Sequence, residues 1–322
     1  MVNGCKWVAK IKHLILIGSV FLLATVNAQI EVPTTWNSAL YVEHALVGKI
    51  WRSKDDQFIG VDELVAAIDR SSYLLLGEKH DNPDHHNLQG LILGELLTRG
   101  NVSSIAFEML DSKAQPALDD IKSQQAMTLD DLKSYLDWDE AGWDWDFYGP
   151  LLMASYQSGT RLIGANIDAE TMGQVYSGNA PLDTSRILDE LTVTQLNLDI
   201  DESHCGLLPA SQFPAMVRVQ QARDHSMASS LGAGVEEEIG ILVAGNYHIR
   251  QDLGVPKYLL AQNSDLAKER IVALAFIEVD PEVSDAGSYL EQFGNVMAYD
   301  YIWFTPAISD EDYCASMQQQ LQ

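Results

Sequence analysis

Cations are scarce in this chain: 20 lysines and arginines stand against 46 acidic residues, a net charge of −26. A field of that sign repels phosphate backbones and anionic lipid surfaces, which argues against nucleic-acid and membrane-surface partners. A local basic pocket still suits a small anionic ligand, and for most of the acids the ordinary role is solubility. Nucleotide and nucleophile signatures are missing as well. There is no Gly-x-Gly-x-x-Gly, no P-loop and no Gly-x-Ser-x-Gly elbow, so nucleotide binding and serine hydrolysis have no support. The close histidine pair of a zincin is absent too, and past the N-terminus no apolar run is long enough to cross a bilayer. Cysteine is rare, with three in 322 residues.

The N-terminus carries what basic and apolar character there is. Lys6, Lys10 and Lys12 precede an apolar stretch at residues 14–24, and Val26-Asn27-Ala28 supplies small residues for cleavage. That pattern reads as a secretory signal peptide, residues 1–28, on a periplasmic or secreted protein. Cys5 precedes the apolar stretch, so no cysteine stands where a bacterial lipoprotein carries its lipid. Cys205 and Cys314 remain after cleavage. In an oxidising compartment they can pair, in a reducing one they stay free, and spacing alone decides neither.

Residues 29–322 suffice for one large or two modest domains. Residues 48–51 and 57–61 read as a hairpin, followed by a helix over 63–69 capped by Asp62. Apolar runs at 73–76, 104–107, 161–165, 238–244 and 270–279 alternate with helical stretches, among them 87–98 ended by Gly100. Continuous apolar strands alternating with helices predict an α/β fold: a three-layer, mostly parallel sheet flanked by helices. Helical insertions at about 111–159 and 167–231 predict a small helical subdomain over the carboxyl edge of the sheet.

Polar residues cluster at the ends of these strands, where open α/β sheets place their sites. Gly77-Glu78-Lys79-His80 ends the first, Glu108 the second and Asn166 the third. Gly245-Asn246-Tyr247-His248, with Arg250 just beyond, ends the fourth, and Glu278 and Asp280 the fifth. Histidines and carboxylates arriving from separate elements suit a divalent metal such as zinc or manganese, or general acid–base work. Asp81, Asn82, Pro83 and Asp84 read as turn and cap residues. On the helix over 213–231, Gln220 and Asp224 fall on the apolar face, where they need buried partners; Asp224 is placed to orient a histidine. The aromatic segment 138–148 reads mainly as core, with stacking on a flat ligand as the alternative.

In order along residues 48–304 stand Leu75-Leu76-Gly77-Glu78-Lys79-His80-Asp81-Asn82, Phe107-Glu108-Met109, Trp143 to Tyr148 with Pro150, Gln220 with Arg223-Asp224 and Met227-Ala228, Ala244-Gly245-Asn246-Tyr247-His248, and Gly254-Val255-Pro256. This ordered set resembles the ChaN-like haem-binding uptake proteins of the wider Tiki, TraB and erythromycin-esterase superfamily. The resemblance implies an exported haem-binding protein of iron uptake or trafficking. Lys79, Arg223 and Arg250 would meet the propionates, Tyr148, Tyr247 or His248 the iron, and a homodimer would enclose the ring. An outer-membrane haem receptor system is the implied partner. The superfamily's enzymes imply the alternative, a metal-dependent hydrolase with Glu78, His80, Glu108 and His248 at a metal centre, where Gln220, Asp224, Asn166 and Asn246 support the ligands. A third reading is an exported binding module for another small ligand. Members of the family are commonly lipoproteins, and this chain departs from that.

Overall fold

Residues 73–78 read Tyr-Leu-Leu-Leu-Gly-Glu, and every one of them is buried. A run without polar alternation has apolar neighbours on both faces, so it belongs inside a sheet and not at its edge. The computed structural model describes residues 1, 30–179, 188–232, 234, 237–290, 292–293 and 295–320. The expected signal segment, Met1 aside, lies outside them.

The elements follow in chain order. The hairpin β1 (Ile50–Arg52) and β2 (Gln57–Ile59) leads to α1 (Val61–Ile68), β3 (Tyr73–Glu78), α2 (Pro83–Arg99) and β4 (Val102–Asp111). Next come α3 (Gln115–Asp120), α4 (Leu129–Tyr135), α5 (Trp145–Ser158), β5 (Arg161–Asn166), α6 (Ala169–Ser177), α7 (Glu190–Ser203) and α8 (Phe213–Leu231). The chain closes with β6 (Ile239–Gly245), α9 (Val255–Gln262), β7 (Ile271–Glu278), the short pair β8 (Gln292–Phe293) and β9 (Val296–Met297), β10 (Tyr301–Thr305) and α10 (Tyr313–Gln320).

Among the described residues one eight-stranded sheet runs β2-β1-β10-β7-β3-β6-β4-β5. From β10 to β5 all neighbours are parallel, and β1 and β2 add an antiparallel edge. On one face Leu76, Phe107, Val243 and Leu274 pack with Leu88 and Ile92 of α2 and Leu152 of α5. On the other, Leu75, Ala106, Leu242 and Ala273 pack with Met227 and Ala228 of α8 and Tyr258 of α9. Burying each large side chain is worth about 1.5–3 kcal/mol, so these two faces hold the three layers together. The two insertions therefore contribute to opposite faces, through α5 and α8. Beside the second face, Val175 of α6 and Val219 and Ala222 of α8 form a small cluster of their own, and α7 packs along α8.

Several boundaries differ from expectation for physical reasons. Gly60, not Asp62, is the N-cap of α1, and the Glu63 carboxylate accepts from the Gly60 N–H at 3.4 Å. The α2 helix begins at Pro83, capped by the Asn82 side chain, which accepts from the N–H groups of Asp84 and His85. His85 and His86 thereby become buried helical residues. Glu108 lies inside β4, which runs on to Asp111 past a break in its pairing with β5. The last long strand is β10, inserted between β1 and β7. Cys205, just after α7, is disulfide-bonded to Cys314 in α10.

Candidate functional site

The parallel register between β3 and β6 brings the two Gly-x-x-His segments together: Glu78 pairs with Gly245, and the Asn246 N–H donates to the Glu78 carbonyl at 2.9 Å. Glu108 arrives beside them on β4, and its Oε2 accepts from the Gly245 N–H at 2.8 Å. His80 lies directly over Gly245, where a Cβ would sit 3.0 Å from its ring. The result is a crevice of about 570 Å³ whose walls include Glu78, His80, Glu108, Asn246 and His248.

Two carboxylate–histidine sets face each other there. Glu78 Oε1 lies 2.7 Å from His80 Nδ1 and accepts from the Tyr148 hydroxyl of α5 at 3.0 Å. Its Oε2 is buried without a hydrogen-bond partner among the described residues, with His86 Nε2 at 3.8 Å. The His80 side chain is 46 % exposed, and Trp143 meets the ring edge-on at 4.9 Å. In the second set, buried His248 spans two carboxylates, with Nδ1 2.6 Å from Asp224 Oδ1 and Nε2 3.3 Å from Glu108 Oε1. Gln220 Nε2 adds a contact to Asp224 at 3.2 Å.

Burial opposes charge on all these groups, so their ionisation follows from their neighbours. For His248 burial is outweighed by Glu108 and Asp224, and its pKa is pushed up to about 10. For Glu108 burial is likewise outweighed, by the charge and hydrogen bond of His248 with His80 and the Gly245 N–H behind them, and its pKa falls to about 2. Asp224 has less help, and burial carries it above the ordinary carboxylate value. His80 is raised, burial being overcome by Glu78. Tyr148 is held protonated by burial and by Glu78.

A larger cavity, about 1080 Å³, opens between α6, α7 and α8. Met172, Leu196, Ile200, Met216 and Val219 make it apolar, and Arg223 and Tyr247 form a wall shared with the crevice. The Arg223 Nε is buried and has no hydrogen-bond partner among the described residues; its other contact is from a guanidinium N–H to Met172 Sδ at 3.7 Å. An unsatisfied guanidinium donor beside an apolar cavity fits the carboxylate of an apolar ligand.

The remaining residues singled out in the sequence have defined places. Lys79 Nζ pairs with Glu278 at 3.0 Å and Asp81 at 3.4 Å, at the crevice rim. Arg250 lines the larger cavity, but its guanidinium is forked onto buried Asp252 at 2.8 and 2.9 Å. Tyr247 donates its hydroxyl to Asp199 at 2.6 Å. Asn166 Nδ2 donates to the Glu108 carbonyl and Asn246 Nδ2 to that of Phe276, so both brace strand ends. No group of three His, Cys, Asp or Glu side chains suited to a metal ion occurs among the described residues. Asp224 orients the His248 ring through Nδ1, as the sequence anticipated, and leaves Nε2 facing Glu108. His86, Asp199 and His204 were not anticipated. A helix register begun at Pro83 would have turned His86 inward; Asp199 and His204 depend on where α7 packs, which no local pattern reports.

A mostly parallel sheet with a histidine–carboxylate crevice at its carboxyl edge and an apolar, arginine-bearing chamber beside it defines a three-layer α/β protein with room for a small ligand. More narrowly, the chain belongs to the haem-binding uptake family, Tiki superfamily, ChaN, whose model matches residues 64–259. Among solved structures, one of cofacial haem binding to ChaN of Campylobacter jejuni is similar, at 26 % identity and a TM-score of 0.64 over 79 % of this chain and 95 % of that one. An erythromycin esterase, EreC, is 13 % identical with a TM-score of 0.46 over the same shares, 79 % and 95 %. A search among curated proteins finds no match.

Proposed function

We propose that this protein is exported, binds haem in the chamber between α6, α7 and α8, and takes part in haem and iron uptake or trafficking. The observation that carries the reading is the pairing of an apolar chamber of about 1080 Å³ with the unpartnered Nε–H of Arg223. Haem is a flat, apolar ring with two carboxylates, so it needs both. The bound group would supply the iron chemistry. The chain's own residues would exclude water from the ring through Met172, Met216 and Ile200 and bind a propionate at Arg223.

Export is supported by the N-terminal pattern and by the Cys205–Cys314 bond, which persists in oxidising compartments. A homodimer belongs to the same reading. Leu191 and Leu198, one heptad apart on α7, are 72 % and 59 % exposed beside the chamber, an apolar stripe that a second copy would cover. An outer-membrane receptor system as the source of haem rests on family membership alone.

The test is a hemin titration of residues 29–322, followed by Soret absorbance, with light scattering for mass. A saturable, shifted Soret band at a fixed ratio to subunit, weakened in Arg223→Gln, is expected. No saturable band sinks the reading and returns attention to the Glu78–His80 and Glu108–His248 crevice.

A further inference from the structure

One covalent bond ties the wall of the chamber to the end of the chain. Glu202 and Ser203, in the last turn of α7, and His204, which caps it, line the chamber; the next residue, Cys205, is bonded to Cys314 of α10. This stretch of wall is thinly held. The buried residues of α7 are Thr192 and Leu196, both in its first half. The second half is fixed by Ile200, half-buried against the core, and by Asp199, which accepts from the Tyr247 hydroxyl at 2.6 Å. Beyond Ile200 the hydrogen bonds close on themselves: the Cys205 N–H donates to Glu202, the Gly206 N–H to Asp201 and the Leu207 N–H to His204. Among the described residues, no hydrogen bond or ion pair links residues 201–207 to anything outside α7 and the turn that follows it.

The other end of the bond is no better anchored. Among the described residues α10 adds nothing to the three apolar clusters of the core. The N–H groups of Ala315 and Ser316 both go to Asp312, just before the helix, each at 3.0 Å. Segments with few buried contacts lie at the low end of local stability, so a covalent bond between two of them decides whether either stays in place. Cys205 and Cys314 are both partly exposed, which puts the sulfur bridge within reach of a reductant in solution.

We propose that the Cys205–Cys314 bond is a redox latch on the ligand chamber. Closed, it holds the end of α7 in place as chamber wall; opened by a dithiol reductant, it frees α10, lets that wall move and releases the bound ligand. The identity of that ligand rests on the haem reading above, whereas the latch rests on how α7 and α10 are attached. In the opening step one thiolate of the reductant attacks a sulfur of the bridge, breaking the Cys205–Cys314 bond and forming a mixed disulfide; its second thiol then displaces the remaining cysteine. Two electrons pass to the protein, the two protons of the dithiol end on the Cys205 and Cys314 thiols, and the reductant leaves as a disulfide. A wall in place only about a tenth of the time lowers the apparent affinity roughly tenfold.

The experiment uses residues 29–322, whose only cysteines are these two. It compares oxidised wild type, wild type reduced with dithiothreitol, and Cys205→Ser with Cys314→Ser, each checked for fold by circular dichroism. Iodoacetamide should label both cysteines after reduction of the folded protein and neither before. At labelling times of seconds to minutes, hydrogen–deuterium exchange of the apo protein is expected to quicken at residues 197–207 and 313–318 in the reduced and double-serine forms, while β3 and β6 stay protected. Hemin is titrated into oxidised wild type and the double-serine variant, which keeps reductant away from the iron; the variant should bind roughly tenfold more weakly. A bridge that dithiothreitol does not open in the folded protein overturns the latch. So does protection at 197–207 that is unchanged, or lost no sooner than that of β3 and β6. Equal hemin affinity in the two forms, despite faster exchange, overturns the link to the chamber. Failure of oxidised wild type to bind hemin removes the haem reading alone, and the exchange at 197–207 then decides the latch.

Discussion

His248 and Asp224 are joined across 24 residues of sequence by a contact of 2.6 Å, and the far nitrogen of the same ring reaches Glu108 at 3.3 Å. One buried imidazolium thus serves two carboxylates from α8 and β4. Replacing His248 by Ala leaves both acids without their cation in a dry site, and breaking such a buried pair costs about 3–5 kcal/mol. Urea unfolding should show that loss, with Asp224→Asn in the His248→Ala background recovering part of it. A midpoint unchanged in His248→Ala would mean that the three groups are not coupled.

The same contact fixes a dependence on pH. Glu108, at about 2 against an ordinary 4.5, contributes stability that is complete above pH 4.5 and is lost as pH falls towards 2. His248, at about 10 against an ordinary 6.5, contributes stability that is complete below pH 6.5 and is lost as pH rises through 10. Asp224, raised by burial, works in the opposite sense on the acid side and makes that slope shallower. The difference in unfolding free energy between wild type and His248→Gln is therefore expected to be largest between pH 4.5 and 6.5 and to shrink on either side. A difference independent of pH would contradict the assignment.

Glycine is required for space beside both histidines. At Gly254 an added Cβ would run into the carbonyl oxygen of His248, a backbone atom that cannot swing aside. At Gly245 it would meet the His80 ring at 3.0 Å, and that half-exposed ring can give way only by loosening its contact with Glu78. Gly254→Ala should destabilise by about 1–3 kcal/mol as an overpacked site, and Gly245→Ala by less. Gly245→Ala should instead shift the His80 NMR resonances by prising the ring from Glu78. Equal costs for the two would refute this account.

Tyr148 and the larger chamber are separate in this structure: its hydroxyl serves Glu78 and its ring packs with Trp143 and His86. Tyr148→Phe is expected to leave the hemin Soret band unchanged. Its cost to stability should be about 1.5–3 kcal/mol, the range for a hydrogen bond to a charged group. A changed band would place the ring on the crevice side of Tyr247.

The bond between Cys205 and Cys314 closes a loop with a sequence separation of 109. Cys205→Ser with Cys314→Ser, or reduction of wild type, should lower stability by roughly 2–5 kcal/mol. Thermal melts with and without reductant test this, and the double serine variant should no longer respond to reductant.

Much of the frame was legible because β3, β5, β6 and β7 each carry an unbroken apolar run and β4 a shorter one at 105–107, a pattern that needs no tertiary knowledge. The family resemblance rested on the residues at their ends, and parallel pairing brings Glu78, Glu108, Gly245 and His248 together. What escaped notice depended on distance in sequence. Tyr301-Ile302-Trp303-Phe304-Thr305 has strand character, but its place between β1 and β7 follows from pairing with residues about 30 and 250 positions away. The partners of Lys79 and Arg250 could not be read from charge alone: Glu278 arrives on β7, and Asp252 is a neighbour whose burial decides its effect. The chamber needs α7 laid against α8, and α7 has little amphipathic pattern to announce it.

The Cys205–Cys314 link also changes what a protease can do to the molecule. Asp224, His248 and Glu278 all lie within the loop that it closes, as do α8, β6, α9, β7 and β10. A single cut anywhere between residues 206 and 313 would open that loop without releasing a fragment, since both new ends stay attached through the sulfur bridge. An exported protein nicked there would still migrate as one covalent species until a reductant separated its pieces.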